Sequence, residues 1–357
     1  MLEPLLNYVP SKSPVVSLYL NTDMTKRLKE EVMLVLKDFL KEAPEEANPE
    51  DLSKIEDFFS LEYDWQSRGV AVFSCAEGDL WLVYPSPKPF NDEMQVLPEP
   101  YIRPLVHLLS SHERYGVILV SREQARFFSF QMGKLEEFGG VSGTIPGKHK
   151  QGGWAQARYQ RHIDEHAAQQ LKNAAEAFAK LWDKEKFSYV IIGGTEENVK
   201  TFTDFLPGSI QEAIATTFTA DIMVPISELE EEVVSLVEEF EKDRNEELVR
   251  QILTEAAKGR KATSGLDDTL NAIREGRVNI LLLDSAFRAP GKKCPNCGYM
   301  SSQRIEICPV CSSALEERPD ILNDALAETL RKGGKIVTLS GNHDLAKAGY
   351  IASLLRY

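Results

Sequence analysis

The chain has 357 residues, of which 43% are hydrophobic and 27% are charged, and this length predicts two or three globular domains rather than one. Its formal net charge of -14 argues against broad, sequence-independent binding to nucleic acid, because such binding depends on Lys and Arg neutralising phosphates. No segment approaches the ~20 apolar residues of a membrane span, and the first residues lack the basic and apolar regions of a signal peptide.

The first predicted domain comprises residues 1–112 and has the alternating strands and helices of an α/β fold. Strands are expected at residues 14–20, 69–74 and 80–84, and helices at residues 26–40 and 49–59. Residues 42–57 contain seven acidic residues and one lysine, which predicts a solvated, negatively charged tip on a helix hairpin. Cys75, at the end of a predicted strand, is expected to be a core residue.

The second predicted domain comprises residues 113–226. Strands are expected at residues 115–120, 124–131 and 189–192, with a long helix at residues 154–182 between the last two. This order implies a partly parallel sheet. Gly193 and Gly194 follow the last strand without the lysine of a phosphate-binding Walker loop, so a plain strand-to-helix turn is expected. An acidic helix at residues 227–258, with a capping box of Ser227 and Glu230, leads into the third domain.

A basic segment lies between the second and third strands of this domain. Residues 148–162 contain Lys148, Lys150, Arg158, Arg161 and two histidines, and no acidic residue. Gly152 and Gly153 allow positive φ angles and a close approach of the backbone to a ligand, and the flanking cations suit a phosphate-bearing partner. A surface loop that precedes a helix explains the two glycines as well, so the glycines alone leave both interpretations open.

A zinc-protease motif offers an alternative enzymatic interpretation. His162, Glu165 and His166 fit the pattern H-x-x-E-H, in which two imidazoles lie one helical turn apart beside a carboxylate. The motif is short and no more distant ligand completes it, so solvated histidines on a helix face are the default interpretation.

The third predicted domain comprises residues 227–357 and is again of the α/β type. Helices are expected at residues 266–275 and 321–331, and strands at residues 278–283 and 335–339. The chain between the first of these strands and the second helix contains four of the five cysteines. This cysteine quartet therefore belongs to an insertion in the third domain.

The quartet consists of Cys294, Cys297, Cys308 and Cys311, with the spacing C-x2-C-x10-C-x2-C. Four thiolates at this spacing, with Pro or Gly at the turns, predict a structural Zn²⁺ in a zinc ribbon at residues 292–314. Two disulfides or four free thiols are the alternatives. Because thiolate ligands and the remaining Cys75 require reducing conditions, the cytoplasm is the expected compartment.

The basic segment resembles the loop of the archaeo-eukaryotic class I peptide release factors, which has the pattern K-H-G-R-G-G-Q-S-A-x-R-F-x-R. The matching positions are Lys148, His149, Gly152, Gly153, Arg158, Tyr159 and Arg161. Residues 15–20, 115–120, 269–283 and 349–357 are similar to segments of release factors and Pelota-like proteins. The chain is therefore identified as a bacterial-type relative of that family. The resemblance implies an RNase H-like middle domain and a ribosomal-protein-like C-terminal domain that carries the zinc-ribbon insertion.

The resemblance implies a role on the ribosome or on tRNA, with the peptidyl-tRNA ester as the substrate. In the family, a catalytic Gln follows the two glycines directly and helps to position water against this ester, whereas Trp154 takes that place here. Gln156 is the candidate to replace it, together with Gly152 and Gly153. The resemblance also implies RNA contacts and leaves a translational GTPase open as a partner. The RNA-binding candidates are Lys148, His149, Lys150, Arg158 and Arg161.

The predicted hairpin tip departs from the family in its codon-reading motif. Release factors read stop codons with an N-I-K-S loop at this tip, whereas residues 42–57 contain no such motif. Because seven acidic residues would be repelled by RNA in a decoding site, codon reading is not expected. This favours codon-independent ribosome rescue or quality control by hydrolysis of the ester. The alternative is a non-catalytic, Pelota-like module that binds the ribosome or tRNA; neither a membrane nor DNA is expected as a partner.

Overall fold

The computed structural model of the chain describes residues 2–110, 113–142 and 154–357, without the side chains of residues 110 and 154–164. The described chain is a mixed α/β structure, as the sequence predicts, and it has four sheets. It divides into two compact units, which consist of residues 1–111 with 247–357 and of residues 112–246. The division into domains 1–112, 113–226 and 227–357 stays a prediction. No helix of the described residues is long and apolar enough to cross a bilayer.

The N-terminal region of the first unit is a four-stranded antiparallel sheet with the strand order β3-β2-β1-β4. Its elements are α1 (Glu3–Leu6), β1 (Val15–Asn21), α2 (Lys29–Lys41), α3 (Pro49–Asp57), a π-helical turn (Phe58–Glu62), β2 (Gly69–Cys75), β3 (Leu80–Ser86), β4 (Glu93–Leu97) and α4 (Arg103–Ser110). Helix α2 begins three residues later than the sequence predicts, and β4 and α4 were not predicted. Cys75 is fully buried, which confirms its prediction as a core residue.

Strand β1 is buried on both faces of the sheet. Because side chains alternate along a strand, Val16 and Leu18 pack in one cluster with residues of α2 and α3. Val15 and Tyr19 belong to the cluster on the other face, and the Tyr19 hydroxyl donates to the Tyr101 carbonyl at 2.5 Å. This double burial explains why residues 15–20 are almost uniformly apolar.

The acidic stretch at residues 42–57 is not solvated throughout, which corrects the sequence prediction. Six of its seven acidic side chains are exposed, but Asp51 has no exposed surface. The Asp51 Oδ1 atom accepts hydrogen bonds from the Ser74 hydroxyl at 2.5 Å and the Ala76 N–H at 2.9 Å. Asp51 therefore fixes α3 to the end of β2 and contributes nothing to the charged surface.

The second unit has a five-stranded mixed sheet with the order β7-β6-β5-β8-β9. Its elements are β5 (Tyr115–Val120), β6 (Gln124–Gln131), β7 (Lys134–Ser142), α5 (Trp154–Glu185), β8 (Tyr189–Gly194), α6 (Glu196–Phe205), α7 (Gly208–Gln211), β9 (Ile214–Phe218) and the first part of α8 (Ile226–Ala257). Strands β5, β8 and β9 are parallel and β5, β6 and β7 are antiparallel, so the predicted partly parallel sheet is confirmed.

Helices cover both faces of this sheet. Ile118 of β5 packs in a cluster with Phe178 of α5 and Phe202 of α6. Val117 and the adjacent part of the sheet pack with residues of α8, including Leu229. The predicted capping box of α8 is wrong, because the helix begins at Ile226 and the Glu230 carboxylate accepts a hydrogen bond from the Leu135 N–H at 2.8 Å.

Gly193 and Gly194 are the last two residues of β8, and Thr195 alone joins this strand to α6, so the strand-to-helix connection is shorter than the sequence predicts. The Thr195 side chain caps α6 by accepting from the Asn198 N–H. A Cβ atom on Gly193 would lie 2.6 Å from the Leu119 side chain, so only glycine fits this close packing. The two glycines thus have a packing role.

The C-terminal region of the first unit has a four-stranded sheet, β10-β16-β11-β15, and a three-stranded sheet, β13-β12-β14. Its elements are β10 (Ala262–Ser264), α9 (Leu266–Arg274), β11 (Val278–Asp284), β12 (Gly291–Lys293), β13 (Met300–Ser301), β14 (Glu316–Arg318), α10 (Ile321–Arg331), β15 (Lys335–Leu339), α11 (His343–Lys347) and β16 (Ile351–Leu355). The smaller sheet lies between β11 and α10 in the chain, as the sequence predicts for the cysteine-containing insertion.

Arg103 at the start of α4 ties the N-terminal region to this C-terminal region. Its side chain is 4% exposed and forms an ion pair with Asp320 at 2.7 Å. The same guanidinium donates to the carbonyl oxygens of Asp284, Ser285 and Phe287, which follow or end β11. One buried cation therefore satisfies a carboxylate and three carbonyl groups from the C-terminal region.

Candidate functional site

The four predicted zinc ligands meet in one cluster at the end of the three-stranded sheet. The Sγ atoms of Cys294, Cys297, Cys308 and Cys311 all lie within 4.8 Å of one another. Cys294 and Cys311 are separated by 3.4 Å, and Cys297 and Cys308 by 3.5 Å. Cys294 and Cys308 are each 1% exposed and pack with Leu315 in a small apolar cluster.

These distances fit a tetrahedral zinc ion. A Zn–S bond of about 2.3 Å implies sulfur atoms about 3.8 Å apart at the corners of a tetrahedron, close to the separations in the cluster. The separations of 3.4 and 3.5 Å also exceed the ~2.05 Å of an S–S bond, and none of the four cysteines forms a disulfide, so the disulfide alternative is not realised. The donor set and its spacing are compatible with structural zinc.

The two halves of the cluster are built by the same turn. In the first, the Gly298 N–H donates to the Cys294 carbonyl, and in the second the Ser312 N–H donates to the Cys308 carbonyl. The residue after the second cysteine of each pair is left-handed, with φ of 71° at Gly298 and 60° at Ser312. The second turn therefore uses the backbone conformation of the first without the glycine that favours it.

This difference between the turns predicts opposite effects of two substitutions. Ser312→Gly should raise the free energy of unfolding of the ribbon by about 0.5–1 kcal/mol, because glycine adopts the left-handed conformation without steric cost. Gly298→Ala should lower it by about 1 kcal/mol, since a Cβ there meets no atom within 4 Å and only the backbone conformation opposes it. Chemical denaturation of the zinc-loaded protein measures both, and equal signs for the two variants would contradict the prediction.

The environment of Cys311 favours a thiolate. Hydrogen bonding with the Ser313 side chain and backbone lowers the pKa of the Cys311 thiol to about 5, whereas burial raises the pKa of the Cys297 thiol to about 12. Because a metal ligand must be deprotonated, coordination at neutral pH would require Cys297 to release its proton.

The release-factor-like residues fall mostly outside the described part of the chain. Lys148, His149, Lys150, Gly152 and Gly153 lie outside the described residues. The backbone of α5 begins at Trp154, directly after the glycine pair.

The remaining candidates of the basic segment are in α5 itself. Gln156, Arg158 and Arg161 occupy its first two turns, but their side chains lie outside the described residues. Of the zinc-protease motif, His162 and His166 are both helical, and the His162 side chain is likewise not described. Among the described side chains, the cysteine quartet is the one group of three or more potential metal ligands within reach of a single ion.

The basic segment lies within a region of the chain that matches a known protein family. The family model described as "Bacterial archaeo-eukaryotic release factor family 10" matches residues 100–258, which include the basic segment and α5. Peptide chain release factor subunit 1 of Methanocaldococcus jannaschii is 27% identical over 290 residues, covering 72% of this chain and 69% of that protein. The chain is a relative of the archaeo-eukaryotic release factors. The corresponding protein of Thermococcus sibiricus is 24% identical over 304 residues, covering 76% of this chain and 73% of that protein.

Solved structures with similarity to this release-factor relative include a translation termination factor and a termination-like factor. Archaeal translation termination factor aRF1 is 16% identical, with a TM-score of 0.27, covering 100% of this chain and 96% of that chain. Dom34 of S. cerevisiae, described as a termination-like factor involved in RNA quality control, is 11% identical, with a TM-score of 0.45 and coverage of 83% of each chain.

Proposed function

We propose that this release-factor relative acts on the ribosome in codon-independent rescue or quality control, by hydrolysing the ester of peptidyl-tRNA. The observation that carries the proposal is the match of residues 100–258 to a release-factor family model, over the segment that contains the two glycines and the basic residues. The relatives with sequence similarity are peptide chain release factor subunits. The ribosome and tRNA are the partners that we propose, with a translational GTPase as a further candidate.

The chemistry would be the attack of water on the ester carbonyl. The new C–O bond gives a tetrahedral oxyanion, and the ester C–O bond then breaks so that the tRNA 3′ hydroxyl leaves with a proton. We assign the positioning of water to Gln156 and the close approach of the backbone to Gly152 and Gly153. Because the first N–H groups of a helix have no partner within it, the start of α5 after Gly153 suits stabilisation of an oxyanion.

Contacts with RNA are assigned to the basic segment alone. Lys148, His149, Lys150, Arg158 and Arg161 would contact RNA phosphates in this proposal. The chain as a whole is acidic, with a formal net charge of -14. The salt dependence of RNA binding should therefore come from these few cations.

The hairpin of α2 and α3 supports a codon-independent role. Six exposed acidic side chains remain at residues 42–57 after the burial of Asp51. Such a surface is repelled by messenger and ribosomal RNA, so a decoding contact like that of a termination factor is unfavourable.

We also propose the finer organisation that accompanies this function. The chain would comprise domains 1–112, 113–226 and 227–357, with an RNase H-like middle domain and a ribosomal-protein-like C-terminal domain. Structural Zn²⁺ would be bound by the cysteine quartet, whose sulfur atoms lie within 4.8 Å of one another. Thiolate ligands require reducing conditions, which supports a cytoplasmic location.

A peptidyl-tRNA release assay tests the proposed activity. Ribosomes carrying labelled peptidyl-tRNA and no stop codon are incubated with the wild type, Gln156→Ala, Gly153→Ala and Gln169→Ala. We expect release by the wild type, a loss of about 10²-fold in rate for Gln156→Ala and Gly153→Ala, and no change for Gln169→Ala, an exposed residue of the same helix. Ribosome binding is measured in parallel by sedimentation.

The alternative function is a non-catalytic, Pelota-like module that binds the ribosome or tRNA. Trp154 in the place of the catalytic Gln is the observation that favours it. Ribosome binding by the wild type without any peptide release would establish this alternative and exclude the hydrolase. Zinc-dependent proteolysis that is lost in His162→Ala would instead establish the zinc protease.

A further inference from the structure

The second unit has an open groove at the carboxyl end of β9 and the start of α8. Its volume is about 620 Å³, within the range of ordinary ligand and peptide sites. The groove is lined by Phe218, Thr219, Ala220, Asp221, Met223, Val224, Pro225, Glu228, Leu229 and Glu232. None of these residues was singled out by the sequence, because their mixture of acidic and apolar types is typical of any amphipathic surface helix and the loop before it.

The apolar part of the groove has a buried floor and an exposed rim. Leu229 is 1% exposed and belongs to the sheet-facing cluster that also contains Phe218. Met223, on the rim, is 74% exposed. A flexible, polarisable Met side chain at such a position adapts to an apolar side chain of a partner.

The wall of the groove is held in place by Arg126 of β6. Its Nη1 donates to the Ile222 carbonyl at 3.0 Å and the Val224 carbonyl at 3.1 Å. The other side of the guanidinium binds the Glu137 carboxylate through Nε at 3.0 Å and Nη2 at 2.8 Å. Two carbonyl contacts and a bidentate ion pair fix the loop before α8, so the groove is formed without a partner.

All the charged residues that line the groove are acidic. Asp221, Glu228 and Glu232 line it, and the ten lining residues include no Lys or Arg. Glu228 and Glu232 are exposed and four residues apart in α8, so they share one helix face. A groove with an apolar floor and carboxylates on one side is complementary to a segment that is both basic and apolar.

We propose that this groove binds a basic segment of a partner protein. One bulky apolar side chain of that segment contacts Met223 and Leu229, and neighbouring Lys or Arg side chains pair with Glu228 and Glu232. Nucleic acid is disfavoured as an occupant, since its phosphates would face three carboxylates. None of the ten lining residues belongs to the basic segment to which we assign contact with RNA.

Fluorescence anisotropy with designed peptides tests the groove. The probe is a short fluorescein-labelled peptide of alternating Leu and Arg pairs, compared with versions in which Arg is replaced by Glu or Leu by Ser. We expect Glu228→Gln/Glu232→Gln and Met223→Ser to weaken binding of the Leu/Arg peptide about tenfold and about threefold. The matched control is Glu238→Gln/Glu239→Gln, two exposed acids further along α8 that do not line the groove, which should change the Kd less than about twofold.

Three outcomes would overturn the proposal. Equal losses in the two double variants would show diffuse charge attraction along α8. Equal binding of the Leu-to-Ser peptide would show that the apolar floor is not used. Binding of a labelled RNA oligomer with the same dependence on Glu228 and Glu232 would identify a different occupant. A melting temperature within about 2 °C of the wild type for every variant ensures that folding does not account for the losses.

Discussion

Replacement of Arg103 by Ala is expected to lower the free energy of unfolding of the first unit by about 2–3 kcal/mol. The substitution leaves the Asp320 carboxylate, which is 12% exposed, with Arg288 at 3.7 Å in place of Arg103 at 2.7 Å. It also removes one of the two guanidinium groups that donate to the carbonyl groups of Ser285 and Phe287. Because water reaches this site poorly and Arg288 is 46% exposed and farther from Asp320, the lost contacts are recovered only in part. Urea denaturation followed by circular dichroism measures the change.

The control for Arg103 is Arg250→Ala in the same unit. Arg250 is 71% exposed and pairs with Glu247 at 2.8 Å on the surface of α8, so its loss should cost about 0–1 kcal/mol. Arg103→Met alone should be more destabilising than Arg103→Met combined with Asp320→Asn, since the second change removes a carboxylate that is left with only the more distant Arg288, and keeps a side chain able to cap α10. A cost for Arg103→Ala no larger than that of Arg250→Ala would contradict the structural role of the buried pair.

The long periodic and apolar segments of the fold were predictable from the sequence. Residues 115–120 and 321–331 form β5 and α10 with the predicted bounds, and α5 and α8 are within three residues of theirs. These segments can be recognised without knowledge of their neighbours, because a buried strand is continuously apolar and a long helix repeats its hydrophobic period several times.

Strand β7 shows what the sequence could not reveal. Its sequence KLEEFGGVS contains two adjacent acids and two glycines, and it has no clear alternation. The strand forms because β6 supplies a full ladder of hydrogen bonds, with an irregularity at Phe127 and Phe128 that accommodates the mismatch. Strand β4 and helix α4 were missed for a related reason, since prolines near both suggested only a loop.

Burial of individual charges was also beyond the sequence. Asp51 is one of seven acids in a short stretch, and nothing in its neighbours distinguishes it from the exposed six. Its partners, Ser74 and Ala76, are more than twenty residues away and become adjacent only when α3 packs on β2. A count of charges therefore predicted the sign of the hairpin surface correctly but not its composition.

The cysteine quartet and the groove beside α8 also differ in how far the sequence could predict them. The cysteine quartet was predictable because local spacing alone determines which four thiols can converge. The groove beside α8 depends on Arg126, which lies about a hundred residues before the loop it holds. Sequence patterns identify sites made within one segment, and packing creates the sites made between segments.

Loss of zinc is the second large effect that we expect. The purified protein should contain about one zinc ion per chain, and Cys308→Ser should lower this content severalfold. The apolar cluster of Cys294, Cys308 and Leu315 is too small to keep the ribbon folded alone, so binding of the metal supplies most of its folding free energy. Elemental analysis of the wild type and the variant measures the zinc content.

Hydrogen exchange locates the effect of zinc removal, and Cys75→Ser is the matched control. After chelation, the amides of Cys294 and Cys308, which donate to Tyr299 and Ser313, should lose protection by several orders of magnitude. Amides within β11 should keep theirs, because that strand is paired on both sides in a separate sheet. Cys75 is buried in the N-terminal sheet and takes no part in the cluster, so Cys75→Ser should retain about one zinc ion. Equal loss of zinc in the two cysteine variants, or a wild type with clearly less than one ion, would rule out the cysteine quartet as the metal site.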